Sequence, residues 1–309
     1  MIIAYLFPGQ GSQAVGMGKD LYDHSAEARE LFDRADEVLG FPLSKLCFEG
    51  PEEELRLTRN TQPALLVVST AAARLLGRDP AVAAGHSLGE YSALVAAGCL
   101  RFEDAVLLVH KRGLYMQEAV PVGVGAMAAV LGVPGEEIER RLGEARSGVV
   151  EIANWNSDDQ IVISGEKAAV EEALAVIKAP RSVMLPVSAP FHSRLMKPAE
   201  ERLAADLDAT SFADPRYPII TNVDARLIRT GAEARDALKR QVSRSVLWTR
   251  SMAVMNELGI EACVECGPGK VLAGLVKRIG RGWPKAPAIH NVESFEGAEK
   301  ARAALFDGL

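Results

Sequence analysis

Cysteine is scarce: four residues in a chain of 309. That is too few for the disulfide framework that holds small secreted domains together. Long hydrophobic runs are lacking too, since no stretch approaches the roughly 18–20 uncharged apolar residues of a membrane span. The opening MIIAYLFPGQG contains a short apolar run, but no basic segment precedes it and a Pro-Gly break follows. A buried strand is therefore expected there, not a signal peptide. Positive charge is in deficit. The 35 Lys and Arg stand against 41 Asp and Glu, a net charge of −6, and there is no Lys/Arg run. This argues against nucleic acid or an anionic membrane as a partner. No internal repeat and no low-complexity tail occurs. The expectation is a cytoplasmic protein.

What is present is an ordinary globular composition, 48% hydrophobic and 25% charged. The length exceeds one average domain of roughly 100–200 residues, which predicts two domains or one large domain with an insertion. Residues 2–7 read as a strand buried on both faces. Ser25 reads as an N-cap, followed by Ala28, Leu31, Phe32 and Ala35 at helical spacing, with Gly40 closing the pattern. Helices are expected over 63–76, 90–97 and 103–119, with a short strand at 82–84. Strand–helix alternation of this kind predicts a parallel α/β sheet.

The pattern changes near residue 122. Strands at 124–131, 149–153, 160–164 and 182–187 alternate with helices at 134–143 and 166–178, and Pro134 reads as the first helical residue. The order β-α-β-β-α-β is that of a ferredoxin-like unit. The expected organisation is a large α/β domain of residues 1–121 and 190–309, with an α+β domain of residues 122–189 inserted in it. Beyond the insertion, helices are expected at 198–209, 232–242, 248–258 and 271–279, with strands at 217–222 and 261–265.

Gly85-His86-Ser87-Leu88-Gly89 fits G-x-S-x-G between a strand and a small-residue helix. That context makes the motif a nucleophile elbow: glycines two before and two after the serine remove a clash and expose its hydroxyl at a helix N-terminus. Gly9, Gly11 and Ala14 match the alanine form of a dinucleotide fingerprint, but Pro8 and Gln10 interrupt the turn and no acid ends a strand about 20 residues on. A turn presenting Gln10 into a site is expected instead. Cys263 and Cys266 lack a second pair for zinc and fall on opposite faces of a strand, so they read as core. No metal site is expected.

A serine nucleophile needs a base. Of five histidines, His192 lies in the rigid Ala189-Pro190-Phe191-His192-Ser193 loop where the insertion rejoins the main domain. It is either that base or a structural loop residue. Arg112 falls on the apolar stripe of Ala105, Leu108, Val109 and Met116. A buried arginine requires an anionic partner, either an internal Asp or Glu or a carboxylate on the substrate. Gln241 lies on an apolar face with Ala237 and Leu238 and is expected to be hydrogen-bonded inside.

The segments Phe7-Pro-Gly-Gln-Gly-Ser-Gln13, Asn60-Thr-Gln-Pro-Ala64, Gly85-His-Ser-Leu-Gly-Glu-Tyr91, Asn154-Trp-Asn156, Gln160-Ile-Val-Ile-Ser-Gly165, Ala189-Pro-Phe-His-Ser193 and Glu265-Cys-Gly-Pro-Gly-Lys-Val-Leu272, with Trp248 seven residues after Gln241, together resemble the malonyl-CoA:acyl-carrier-protein transacylases. The resemblance follows the family's order over nearly the whole chain. It implies an α/β-hydrolase-like large domain with a ferredoxin-like insertion. Ser87 is implied to be the acylated nucleophile and His192 its base, oriented by a backbone carbonyl. The N–H groups of Gln10 and Leu88 are implied to form the oxyanion hole. Arg112 is implied to clamp the malonyl carboxylate, Gln62 and Gln241 to line the site, and Asn154 and Asn156 to lie on the carrier or coenzyme side. Trp155 stands where the family more often has a smaller aromatic.

The implied reaction is ping-pong transfer of malonyl from malonyl-CoA to the phosphopantetheine thiol of acyl carrier protein, for fatty-acid synthesis. The coenzyme A thioester is a substrate, no cofactor is implied, and a monomer is expected. Phe191 resembles the malonyl-preferring pattern and should crowd a methyl branch. An acidic carrier protein must find a basic patch on a net-negative chain, for which Arg181, Lys277 and Arg278 are the candidates. The alternatives are a transferase serving polyketide synthesis and a serine esterase or thioesterase. For the latter, Asp104, Asp158 and Asp159 stand between Ser87 and His192 as triad acids. A non-enzymatic carrier-docking module is a third class.

Overall fold

β1 (Ile3–Phe7) is the strand the opening run predicts, and it is buried on both faces. Ile3, Tyr5 and Phe7 point into one apolar cluster and Ala4 and Leu6 into another. In this computed structural model, residues 1–187 and 189–306 are described. Ser188 and residues 307–309, the end of the expected large domain, lie outside them. The helices α1 (Lys19–His24), α2 (Ala26–Leu39), α3 (Leu43–Glu49), α4 (Glu52–Leu55) and α5 (Thr58–Leu75) lead to β2 (Val82–Gly85), α6 (Gly89–Ala96) and α7 (Phe102–Glu118). Ser25 caps α2 by accepting from the Ala28 N–H.

α5 begins before Pro63 and carries it inside. A proline there has no N–H for the carbonyl of Arg59, one turn earlier. That carbonyl bonds instead to His110 Nδ1 of α7, at 2.9 Å. His110, midway along α7, thus caps that carbonyl.

β3 (Gly125–Leu131), α8 (Gly135–Leu142), β4 (Val150–Ser157), β5 (Gln160–Glu166), α9 (Lys167–Ile177) and β6 (Arg181–Met184) build a small domain. Its sheet runs β4-β5-β3-β6, antiparallel throughout. One face, with Ala126, Ala128, Val130, Ile161 and Ile163, packs on Ile138 of α8 and Val170 and Ala173 of α9. The other face, with Met127, Ala153 and Val162, joins the main core of the large domain. Pro134 is the N-cap of α8, not its first residue. β4 runs on to Ser157, so Asn154 and Asn156 are strand residues. A parallel bridge joins Asn154 to Val246 and ties this strand to the large domain.

The chain returns through α10 (Lys197–Ala209), β7 (Ile219–Ile220), β8 (Leu227–Ile228), α11 (Gly231–Gln241), α12 (Trp248–Glu257), β9 (Ala262–Cys266), α13 (Val271–Ile279), β10 (Ala288–Val292) and α14 (Phe295–Leu305). The large sheet has the order β10-β9-β1-β2-β7-β8. It is parallel except for the β7–β8 pair. The expected strand at 217–222 shrinks to two residues, β8 and β10 complete the sheet beyond the strands expected from the sequence, and α14 follows as a further helix. Cys263 and Cys266 point to opposite faces of β9, buried and free. Among the described residues, no helix is long and apolar enough to cross a membrane.

Candidate active site

The carboxyl ends of β1 and β2, central neighbours in a parallel sheet, are where such sheets place their sites. β2 ends at Gly85 and α6 starts at Gly89, so three residues turn the chain back. A Cβ on Gly85 would overlap the carbonyl of Gly89, and one on Gly89 would overlap the Phe7 carbonyl. The second glycine therefore makes room for β1 as well as for the turn. Ser87 carries the strain of the turn, with φ at 52°, a conformation that costs a non-glycine residue about 1–3 kcal/mol. Two side chains hold it there. Asn222 Oδ1 accepts from the Ser87 N–H and Asn222 Nδ2 donates to the Gly85 carbonyl, each at 2.6 Å. Gln241 Nε2 donates to the Ser87 carbonyl at 3.1 Å.

Ser87 Oγ lies 2.7 Å from His192 Nε2. His192 Nδ1 lies 3.0 Å from the Gln241 carbonyl and 3.2 Å from that of Arg244. Two carbonyl acceptors place the proton on Nδ1, so the Nε2 lone pair faces the serine hydroxyl. Burial and the nearby positive charge of Arg112 push His192 down to about 3. The imidazole is therefore neutral and able to accept a proton. No carboxylate contacts His192 among the described residues. Asp104 lies beside Arg101, and Asp159 bonds to Ser157 and Arg278, so neither completes an esterase triad.

Arg112 is 1% exposed. Its Nη1 donates to Gln62 Oε1 at 2.9 Å, and its Nη2 donates to Gln241 Oε1 at 3.0 Å and to Ser87 Oγ at 3.1 Å. The Tyr91 ring lies 5.6 Å from the guanidinium carbon. Its Nε has no partner among the described residues. An internal Asp or Glu at this guanidinium was one sequence expectation; all its acceptors are instead neutral, and burial pulls its pKa down.

Gln10, Gln62, Ser87, Leu88, Arg112, Asn154, Phe191 and His192 line a cavity of about 110 Å³, with Met116, Met127, Leu185 and Val187 as its apolar wall. The Gln10 loop is pressed onto the elbow, where a Cβ on Gly9 would overlap the His86 carbonyl. Among the described residues, the N–H groups of Gln10 and Leu88 find no acceptor in the protein. Gln241 sits behind Arg112, and Asn156 bonds to His86 Nε2 at 2.8 Å, beneath the elbow. Arg181, Lys277 and Arg278 do not border the cavity. Arg181 pairs with Leu131, at the far end of β3 from Met127. Arg278 is already bonded to Asp159 at 3.1 Å.

Two residues of this network escaped the sequence reading. Asn222 stands just past a strand end, where a parallel sheet gathers its polar groups, and that position was its signal. Glu90 is an acid in the otherwise small or apolar α6 and is fully buried.

A family model described as acyl transferase domain matches residues 4–290. The malonyl CoA-acyl carrier protein transacylase of Bacillus subtilis (strain 168) is 48% identical over 302 residues, covering 95% of each chain. The malonyl CoA-acyl carrier protein transacylase of Coxiella burnetii superposes with a TM-score of 0.95 at 44% identity, over 99% of this chain and 98% of that one. A malonyl-transacylase solved in complex with a type II PKS acyl-carrier protein gives a TM-score of 0.95 at 42% identity, over 98% and 100%. Agreement this dense, from the first strand to the last, goes well beyond a shared fold: the chain belongs to the malonyl-CoA:acyl-carrier-protein transacylases of the acyl transferase domain family.

Proposed function

We propose that the chain moves malonyl groups from malonyl-CoA to the phosphopantetheine thiol of acyl carrier protein through an ester on Ser87, supplying fatty-acid synthesis. The observation that carries this reading is Arg112. A guanidinium buried at the inner wall of the cavity, with only neutral acceptors, is prepared for a carboxylate that arrives with the substrate. Malonyl carries one and acetyl does not.

The chemistry follows from the distances. The Ser87 hydroxyl gives its proton to His192 Nε2 as Oγ attacks the thioester carbonyl. The two Nδ1 acceptors stabilise the imidazolium that forms. The free N–H groups of Gln10 and Leu88, the latter at the start of α6, supply donors for the tetrahedral oxyanion; one such donor is typically worth about 10²–10³ in rate. His192 then returns the proton to the leaving thiolate. The carrier thiol attacks the ester by the same steps in reverse. Acyl transfer of this kind requires no metal or redox cofactor.

Intact-mass measurement after mixing with malonyl-CoA tests the reading. A malonyl adduct should form on the wild type and be absent from Ser87→Ala. Arg112→Ala should depress malonyl transfer far more than acetyl transfer. Equal losses would remove the carboxylate clamp, and an adduct persisting on Ser87→Ala would move the nucleophile. A transfer assay comparing carrier proteins of fatty-acid and polyketide synthesis decides which pathway receives the malonyl group.

A further inference from the structure

Glu90 is the second residue of α6, two positions past the elbow's Leu88, and is fully buried. It does not line the Ser87 cavity and takes no part in the steps above. Its two oxygens are treated unequally. Oε2 accepts from the Asn222 N–H at 2.9 Å and from Gln241 Nε2 at 2.8 Å. Oε1 has no partner among the described residues. The same Gln241 side chain accepts from Arg112 Nη2 through its own oxygen, at 3.0 Å. A buried carboxylate and a buried guanidinium thus share one amide between them without forming a direct ion pair.

The charges set the problem. In the resting enzyme Glu90 and Arg112 balance. A malonyl carboxylate on Arg112 makes two negative charges and one positive around a guanidinium that is 1% exposed. An uncompensated buried charge is costly. A proton is the smallest ion that can restore the balance, and the bare Oε1 can take it without disturbing either bond on Oε2. We propose that Glu90 takes up a proton on Oε1 when a malonyl group occupies Arg112, and that its charge thereby sets how strongly the enzyme prefers a carboxylated acyl group. The proposal rests on the carboxylate-clamp reading of Arg112.

The surroundings support a change of protonation near neutrality. Burial pushes Glu90 up to about 7, opposed by its bonds to Asn222 and Gln241 and by Arg112. A substrate carboxylate cancels the Arg112 contribution and raises it further. Asp224, after β7, acts in the raising direction, but its charge is held by Arg240 of α11, with bonds of 2.8 and 2.7 Å. Tyr91, next on α6, has its pKa raised by burial and stays neutral, as does His192 beyond the Gln241 carbonyl. α5, β1 and β2 also pack against α6 but present no charge that acts on Glu90.

The sign follows. Ionised Glu90 opposes the malonyl carboxylate, so the malonyl-to-acetyl ratio of kcat/KM should fall as pH rises from 6 to 8. Glu90→Gln is isosteric with the protonated acid and should hold the ratio high and flat. One unit charge roughly 8 Å away, at an effective dielectric of about 20, changes an affinity at least about tenfold; because the wild type escapes part of this by protonating Glu90, at about 7, the ratio at pH 8 should exceed that of the wild type about five- to tenfold. A merely structural role predicts the opposite, a loss for both donors with no change in ratio. The second measurement needs no variant. With an indicator dye in weak buffer at pH 7, malonyl loading should take up about half a proton per acyl-enzyme more than acetyl loading. Equal proton uptake for the two donors, or a wild-type ratio that neither drifts with pH nor responds to Glu90→Gln, overturns the proposal. A wild type that transfers malonyl and acetyl equally refutes instead the Arg112 clamp on which it rests.

Discussion

Removing the Asn222 side chain should misalign the nucleophile without touching any substrate contact. Asn222 holds the left-handed Ser87 by two bonds of 2.6 Å, one to the Ser87 N–H and one to the Gly85 carbonyl. In Asn222→Ala both backbone groups lose their partners in a buried turn. Each costs about 1–3 kcal/mol, so the folded state should lose about 3 kcal/mol. For a chain of 309 residues that is a fall in Tm of roughly 5 °C. The turn can recover part of this loss by relaxing the Ser87 backbone toward a common conformation, which releases about 1–3 kcal/mol of strain. Relaxation swings Oγ away from His192 Nε2, and a misplacement of about 1 Å costs on the order of 10² in rate. Acyl-enzyme formation, followed by rapid quench and intact mass, should therefore slow about 100-fold for malonyl-CoA and acetyl-CoA alike. The equal loss separates this variant from Arg112→Ala. A variant within about 1 °C and about threefold of the wild type would refute the claim that Asn222 holds the elbow.

Three further outcomes follow from the same geometry. Phe191 lines the cavity beside His192. Phe191→Ala should therefore raise methylmalonyl transfer relative to malonyl transfer about tenfold, the scale on which a pocket reads one carbon, in a competition assay with both thioesters. With His192 pushed down to about 3, the base stays neutral far below the ordinary histidine range of about 6.5. Acetyl-CoA kcat/KM should hold from pH 8 to pH 5, and an acid limb near 6.5 in the pH profile would contradict the assigned burial. Charge reversal at Arg181 and Lys277 should raise KM for the carrier protein and leave malonyl-CoA loading intact; an unchanged KM removes that patch, where Arg278 is already engaged by Asp159.

The parts of this structure legible in the sequence are those set by local patterns. The elbow follows from two glycines at fixed spacing between a strand and a helix. The small domain follows from a change in strand–helix order between residues 124 and 187. The strand expected at 217–222 is shortened because its backbone is used elsewhere. Pro218 has no N–H, the Thr221 N–H goes to the Arg226 carbonyl, and the Asn222 N–H goes to Glu90. β10 has no such pattern, because an edge strand with only Val292 buried needs no alternation. The roles of Glu90 and Asn222 were equally hidden. Each acts on partners more than 130 positions away in the chain, as in the Ser87–Asn222 bond, and no local spacing encodes that pairing. Gln241 was legible only as a polar residue on an apolar face. That it meets Ser87, Glu90, Asn222 and Arg112 together required the fold.

The network also bears on why a carboxylated donor should react well and not merely bind well. In the resting site, Arg112 Nη2 donates to Ser87 Oγ at 3.1 Å. A hydroxyl oxygen that accepts from a cation holds its lone pair less available for attack. The same guanidinium lowers the basicity of His192. A substrate carboxylate that engages Arg112 draws the guanidinium to itself and cancels its field at the imidazole. Both changes favour attack: the serine oxygen loses a competing donor, and the base regains affinity for the proton. Acetyl leaves both restraints in place. Selectivity at this site should therefore show in kcat as well as in KM. A contact made equally in the ground state and the transition state would move KM alone, whereas a carboxylate that alters nucleophile and base acts on the chemical step.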